Sequence, residues 1–216
     1  MNFRRGIAWA APLLTGGFLL LAGPAVAVEL GRPGTWDGSF GGGYAFPFGP
    51  NSENLRGSFA FDFSAEAQAS SWTALGIDMG NDTSFVGRDG GDSLSIVSVT
   101  PTVKWGKAFS TGGGSRLRPY LSVGAGFYSL ESVTYSTSTS GGNLPVGATL
   151  PVDEFGFNVG VGVDWQLGSN FLASLDARFQ DLIFSHGGFE MATPSLKLSY
   201  IFGAPRRGSP RHHPIP

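Results

Sequence analysis

Residues 155–165 alternate with a period of two. Phe155, Phe157, Val159, Val161, Val163 and Trp165 are large and apolar, while Gly156, Asn158, Gly160, Gly162 and Asp164 between them are small or polar. A helix of period 3.6 would mix the two sets, whereas an extended strand sends them to opposite faces. The same alternation runs through 118–130, where Pro119, Leu121, Val123, Ala125 and Phe127 oppose Tyr120, Ser122, Gly124, Gly126 and Tyr128. It recurs in 97–105, 171–180 and 194–202, and less regularly in 36–46, 55–66 and 73–79. The pattern predicts eight strands.

Two architectures use such strands. A soluble sandwich buries the apolar face between two sheets, and a transmembrane barrel turns it to lipid and fills its lumen with the polar face. The strands run about 9–11 residues, the length a tilted strand needs to cross a bilayer. Their polar face is rich in glycine and small side chains, which suits the narrow interior of an eight-stranded barrel. Closure also removes strand edges that lipid cannot satisfy. The expected fold class is therefore all-β, an eight-stranded antiparallel up-and-down transmembrane β-barrel. Pro101, Pro119 and Pro194 each remove a ladder donor and are expected near strand ends or bulges.

Composition agrees with this class. The 216 residues include 34 Gly and 18 Phe, only 14% are charged, and there is no cysteine, so no disulfide contributes. The first residues have a different character. Arg4 and Arg5 precede an apolar run over 7–21, and Ala25-Val26-Ala27 follows it. That order predicts a secretory signal peptide over 1–27, cleaved after Ala27. A membrane-spanning helix is disfavoured by Pro12, Gly16 and Gly17 within the run. The barrel domain is then 28–203, and 204–216 is a basic, proline-rich tail expected to be disordered and periplasmic. Without Arg4 and Arg5 the basic residues fall from 14 to 12 against 16 acidic ones, a net charge of −4 with no basic face for nucleic acid.

If the first strand starts in the periplasm, the outer loops are 47–54, 81–91, 131–153 and 182–191. The periplasmic turns are 67–71, 106–117 and 166–170, of which 106–117 is longer than such turns usually are. Trp36, Trp72, Trp105 and Trp165 then all fall at the periplasmic strand ends, with Phe109, Phe171, Tyr200 and Phe202. Such rings prefer the membrane interface, so these residues are expected to form an aromatic girdle.

The stretch Arg118-Pro119-Tyr120-Leu121-Ser122-Val123-Gly124-Ala125-Gly126-Phe127-Tyr128 resembles the fifth strand of the small OmpA/OmpX-type outer-membrane barrel superfamily. Phe157-Asn158-Val159-Gly160-Val161-Gly162-Val163-Asp164 is similar to the strand that follows it there. The resemblance implies an outer-membrane protein inserted by the outer-membrane assembly machinery. Residues 195–202 resemble the final-strand assembly signal through Tyr200 and Phe202, departing from it at Lys197 and in the 14 residues that follow Phe202.

Several groups carry potential chemistry. Inward positions are assigned to Asp37, Asp62, Glu66, Asp164 and Asp176, and to Arg56, Lys104, Arg178 and Lys197. Mixed charges in a narrow lumen must pair, which predicts a salt-bridge plug, the alternative being a polar ion path. His186, with Ser185 and Glu190, lies where some eight-stranded lipid A deacylases place a His, Ser and Glu. Gly188 stands where their motif has serine, so a plain loop histidine is the better reading. Asn81, Asp82, Asp89, Gly90, Gly91 and Asp92 have a calcium-loop composition without the spacing of one. The runs 41–43 and 112–114 are glycine-rich but open no helix, and are not phosphate loops. No cofactor is implied. The expectation is a non-enzymatic barrel with a structural or surface-binding role, followed by a narrow channel and then by a lipid-modifying enzyme. Its expected partners are outer-membrane lipid and lipopolysaccharide, the assembly machinery, and an external ligand at loop 131–153.

Overall fold

The computed structural model describes residues 29–49, 55–87, 92–112, 115–134, 152–183 and 189–203. The expected leader 1–27, the tail 204–216, His186 with Ser185, and most of loop 131–153 lie outside the described residues. The elements are β1 (Trp36–Phe48), β2 (Ser58–Gln68), β3 (Thr73–Val86), β4 (Asp92–Trp105), the short β5 (Phe109–Gly112), β6 (Ser115–Thr134), β7 (Val152–Gln166), β8 (Phe171–Ile183) and β9 (Phe189–Phe202).

Each long strand pairs antiparallel with the next one along the chain. β1 pairs with β9, from Trp36 opposite Phe202 to Phe48 opposite Glu190, and this closes the sheet. The result is an eight-stranded up-and-down barrel in which β5 takes no part in the closure. β5 instead pairs Phe109 with Leu117, so the long connection 106–117 is a small hairpin on the start of β6.

The short connections lie at one end. Between β2 and β3, the Ala69 and Ser70 amides donate to the Thr73 carbonyl, and Ser70 Oγ accepts from the amides of Trp72 and Thr73. A hydroxyl taking such amides is what lets so few residues reverse the chain. At the other, long-loop end the strands run further than alternation predicts. Residues 81–86, expected in a loop, continue β3, and β6 reaches Thr134. Pro47 and Phe48 likewise belong to β1.

The sidedness of the apolar residues explains the extra length. Over the middle of each strand they point outward: Phe59, Phe61 and Phe63 on β2, Leu121 and Phe127 on β6, Val159, Val161 and Val163 on β7, and Leu196 and Leu198 on β9 are all exposed. Towards the long loops this belt thins, and Asn81, Ser95, Glu131, Asp153, Asp181 and Glu190 take outward positions, with Phe48, Val86 and Ile183 still exposed among them. In the same turns of strand the inward positions become apolar. Ala45, Ala60, Phe85, Ile96, Tyr128, Leu130, Leu182, Phe189 and Met191 form one buried cluster inside the barrel. A wall that is apolar outside and polar inside thus becomes one that is largely polar outside with an apolar core inside. β6 continues seven residues beyond Phe127, which at about 3.3 Å per residue carries the wall some 15–20 Å past the belt once tilt is allowed for.

Candidate functional site: a filled lumen

The middle of the lumen holds two linked charge clusters. Nearer the short turns, Arg118 on β6 is 2% exposed and directs its fork at Asp164 on β7. Nε donates to Asp164 Oδ2 at 2.8 Å and Nη2 to the same oxygen at 2.5 Å, while Nη1 donates to Gln68 Oε1 at 2.6 Å. Ser174 Oγ donates to the other Asp164 oxygen at 2.6 Å. Lys104 on β4 completes the cluster, with Nζ 2.5 Å from Glu66 Oε1 and 3.8 Å from Asp164 Oδ2. Asp37 on β1 sits beside Glu66 in register, half-buried.

Nearer the apolar cap, Asp176 on β8 is shared by two bases. Arg178 Nη2 lies 3.6 Å and Lys197 Nζ 3.4 Å from Asp176 Oδ2. Arg178 also reaches Asp78 at 3.3 Å, and Lys197 reaches Asp62 at 3.0 Å. Ser195 Oγ donates to Asp176 Oδ1 at 2.6 Å. Tyr120 joins the two clusters, since the Lys104 ammonium stands 4.2 Å above its ring and its hydroxyl donates to Asp176 Oδ2 at 3.3 Å. Such pairs contribute little net stability because desolvating both ions offsets their attraction. What they do is occupy the lumen with side chains that cannot leave singly.

Both ends of this polar middle are covered. The apolar cluster described above lies towards the long loops. At the short-turn end, residues 29–35 fold across the mouth, with Leu30 buried against Leu172 and Ile201. The Leu30 amide donates to Gln166 Oε1 at 3.2 Å, and Arg116 Nη1 donates to the Leu30 carbonyl at 3.2 Å. Arg116 also pairs with Glu29, and the Gln68 amide donates to the Thr35 carbonyl at 2.8 Å. The two charged partners are partly exposed, so the pair is worth no more than about 1 kcal/mol. Arg116→Ala is expected to speed amide exchange at Leu30 while moving the global unfolding free energy by only about 0.5 kcal/mol. Equal loss of protection throughout the barrel would show that the segment is part of the main cooperative unit.

Of the charged positions read from the sequence, Asp62, Glu66, Lys104, Asp164, Asp176, Arg178 and Lys197 meet in these clusters, with Asp37 at their edge. Arg56 does not. It is exposed and precedes β2, where the ladder has not yet begun, and its backbone amide donates a hydrogen bond to the Val86 carbonyl of β3. Arg118, Asp78 and Asp82 are lumen charges that the sequence reading did not assign inward, and Tyr120, which it placed on the polar face, it gave no part in the network. Parity would have found them, since Arg118 and Tyr120 share the phase of Ser122, and Asp78 and Asp82 that of Ala74.

Trp36, Trp72, Trp105, Trp165, Phe109 and Phe171 are exposed at the short-turn end, joined there by half-buried Tyr200 and Phe202. Trp36 stacks on Phe202 at 4.2 Å across the closing seam, and Phe171 meets Tyr200 edge-on at 5.2 Å. Asn81 points outward and Asp82 inward, so the calcium-like composition there does not converge, and Asp89 lies outside the described residues. Glu190 lies at the outer end of β9 opposite Phe48 and Asp181.

No protein-family model and no curated protein matches the chain. Solved structures do. The neisserial surface protein A, NspA, aligns with TM-score 0.53 at 12% identity over 78% of this chain and 97% of that one. The outer membrane protein OprG from Pseudomonas aeruginosa aligns with TM-score 0.50 at 12% identity over 80% and 98%. The N-terminal β-barrel domain of Pseudomonas aeruginosa OprF aligns at 16% identity over 79% and 98%, with TM-score 0.47. At these identities the likeness is one of fold, and the chain has the fold of the small eight-stranded outer-membrane β-barrels of the OmpA/OmpX type.

Proposed function

We propose that this protein is a non-enzymatic outer-membrane barrel, anchored by its lipid-facing belt, whose role is structural or that of a surface platform. The observation that carries the reading is the filled lumen: two ion-pair clusters joined through Tyr120, closed by apolar residues at one end and by residues 29–35 at the other. A conducting path needs continuous polar space, and here any ion would have to cross an apolar layer. The girdle of Trp36, Trp72, Trp105 and Trp165 sits at the short-turn end, which supports placing that end in the periplasm and the long loops outside. The walls beyond the belt then stand above the membrane, with β6 ending at Thr134 and β7 beginning at Val152 on that outer side, where an external ligand or a cell-surface partner would meet the protein.

Purified barrel in planar bilayers is expected to give no steady unitary current. Reproducible conductance steps from the unmodified protein would overturn the closed-lumen reading in favour of a narrow channel. Outer-membrane fractionation and a mobility shift on boiling check the placement in the envelope, and recovery as a soluble periplasmic protein without that shift would remove it.

A further inference from the structure

We propose that the lumen holds one small monovalent cation, of sodium size, beside Asp82. Within the two clusters the acids are Asp37, Asp62, Glu66, Asp78, Asp82, Asp164 and Asp176, and the bases are Lys104, Arg118, Arg178 and Lys197. The imbalance is larger near the apolar cap. Asp62, Asp78 and Asp176 share Arg178 and Lys197 there, and with Asp82 beside them four negative charges stand against two positive. Both bases are already shared between two carboxylates. Asp82 is 4% exposed, yet it has no hydrogen-bond or ion-pair partner among the described residues. A buried carboxylate without a partner is costly and must be neutralised by something.

Asp82 lines a cavity of about 30 Å³ between the clusters and the cap, together with Asp62, Ser98, Gln180, Thr193 and Ser195. About 10–15 Å³ measured this way is enough for one water-sized occupant, so there is room. The polar part of the lining, which Asp176 completes, is carboxylate, hydroxyl and amide oxygen, the ligand set of hard cations, and the rest is apolar, with Ala60 and Phe61. Among the described residues no three carboxylates converge as a divalent cage would require. Arg178 borders the same cavity, which further disfavours a doubly charged ion. A proton on Asp82 would supply the same single charge but leave the cavity to water, whereas a monovalent ion supplies the charge and takes oxygen ligands from the lining. A monovalent ion answers both the charge and the space.

Since both ends of the lumen are covered, the ion must enter during folding. The test is to refold the barrel at constant ionic strength in choline chloride, sodium chloride or calcium chloride, and to record the urea midpoint in each. Wild type is expected to unfold at a higher midpoint in sodium than in choline, with a saturating dose dependence. Asp82→Asn is expected to abolish the difference. Ser98→Ala keeps the charge and should raise the sodium concentration for half the effect several-fold, which decides the matter even if Asp82→Asn does not fold. Identical wild-type midpoints in sodium and choline would overturn the proposal and leave protons as the neutralising agent. A calcium effect exceeding that of sodium would overturn the monovalent assignment. Conductance plays no part in this readout, so its failure is separable from that of the closed-lumen reading.

Discussion

Arg118→Met is expected to destabilise the barrel by about 3–5 kcal/mol, the usual cost of removing one partner from a buried ion pair. The size follows from what remains. Asp164 is 1% exposed and would lose two charge-assisted bonds, keeping Ser174 and a Lys104 ammonium 3.8 Å away. Glu66 would keep Lys104 at 2.5 Å but lose Arg118 at 3.6 Å, and Gln68 Oε1 would lose its guanidinium donor. Methionine fills much of the volume, so the loss isolates charge from cavity. Arg118→Lys should recover only part of it, since an ammonium cannot present the fork that holds Asp164 and Gln68 together. The double change Arg118→Met with Asp164→Asn should be less harmful than the sum of its parts, because neither charge is then stranded. Urea unfolding of the refolded protein reads all three. A loss below about 1 kcal/mol for Arg118→Met would mean that water reaches Asp164 and that this part of the lumen is not closed.

The barrel itself was legible because a period of two survives wherever one face meets lipid and the other does not. Residues 155–165 and 118–128 carry it without a break, and both became strands as read. What alternation misplaced were the outer ends. Just beyond Phe127 the apolar residues are Tyr128 and Leu130, in the opposite phase, while Ser129 and Glu131 take the phase of Phe127, so a search for one continuous apolar face stops there. The phase change is itself the signal, marking where the strand leaves lipid and needs an interior core. On β3 that search stops at Met79, although the strand runs to Val86 across a register irregularity between Asp82 and Phe85. The lumen residues were half legible. Parity says which charges point inward, but the meeting of Arg118 with Asp164 depends on the β6–β7 register, in which they are direct partners. Arg56 shows the opposite limit, because its side was inferred by extending parity past the end of the ladder.

Gly162→Val should be nearly as damaging as losing Arg118, although it touches no ion. A Cβ built at Gly162 would stand 2.5 Å from the hydroxyl end of the Tyr120 ring and 2.7 Å from the Leu175 carbonyl on the neighbouring strand. The ring can swing, but only by giving up its bond to Asp176 and its place beneath Lys104, the contacts that join the two clusters. The carbonyl belongs to the β7–β8 ladder and cannot move without breaking it. Overpacking costs about 1–3 kcal/mol, and a lost bond to a charged group adds roughly 1.5 kcal/mol, so a total near 3 kcal/mol is expected. Gly162→Ala should fall between wild type and valine, because part of the clash is with the movable ring. Gly168 provides the control: it lies in the turn before β8 with nothing within 4 Å of a Cβ, so Gly168→Ala should leave the midpoint almost unchanged. The measurement is the temperature at which the folded band is lost on an unboiled gel, alongside the urea midpoint. If Gly162→Val matched wild type in both, the Tyr120 ring would not be held against β7, and the link between the two charge clusters would have to be formed in some other way.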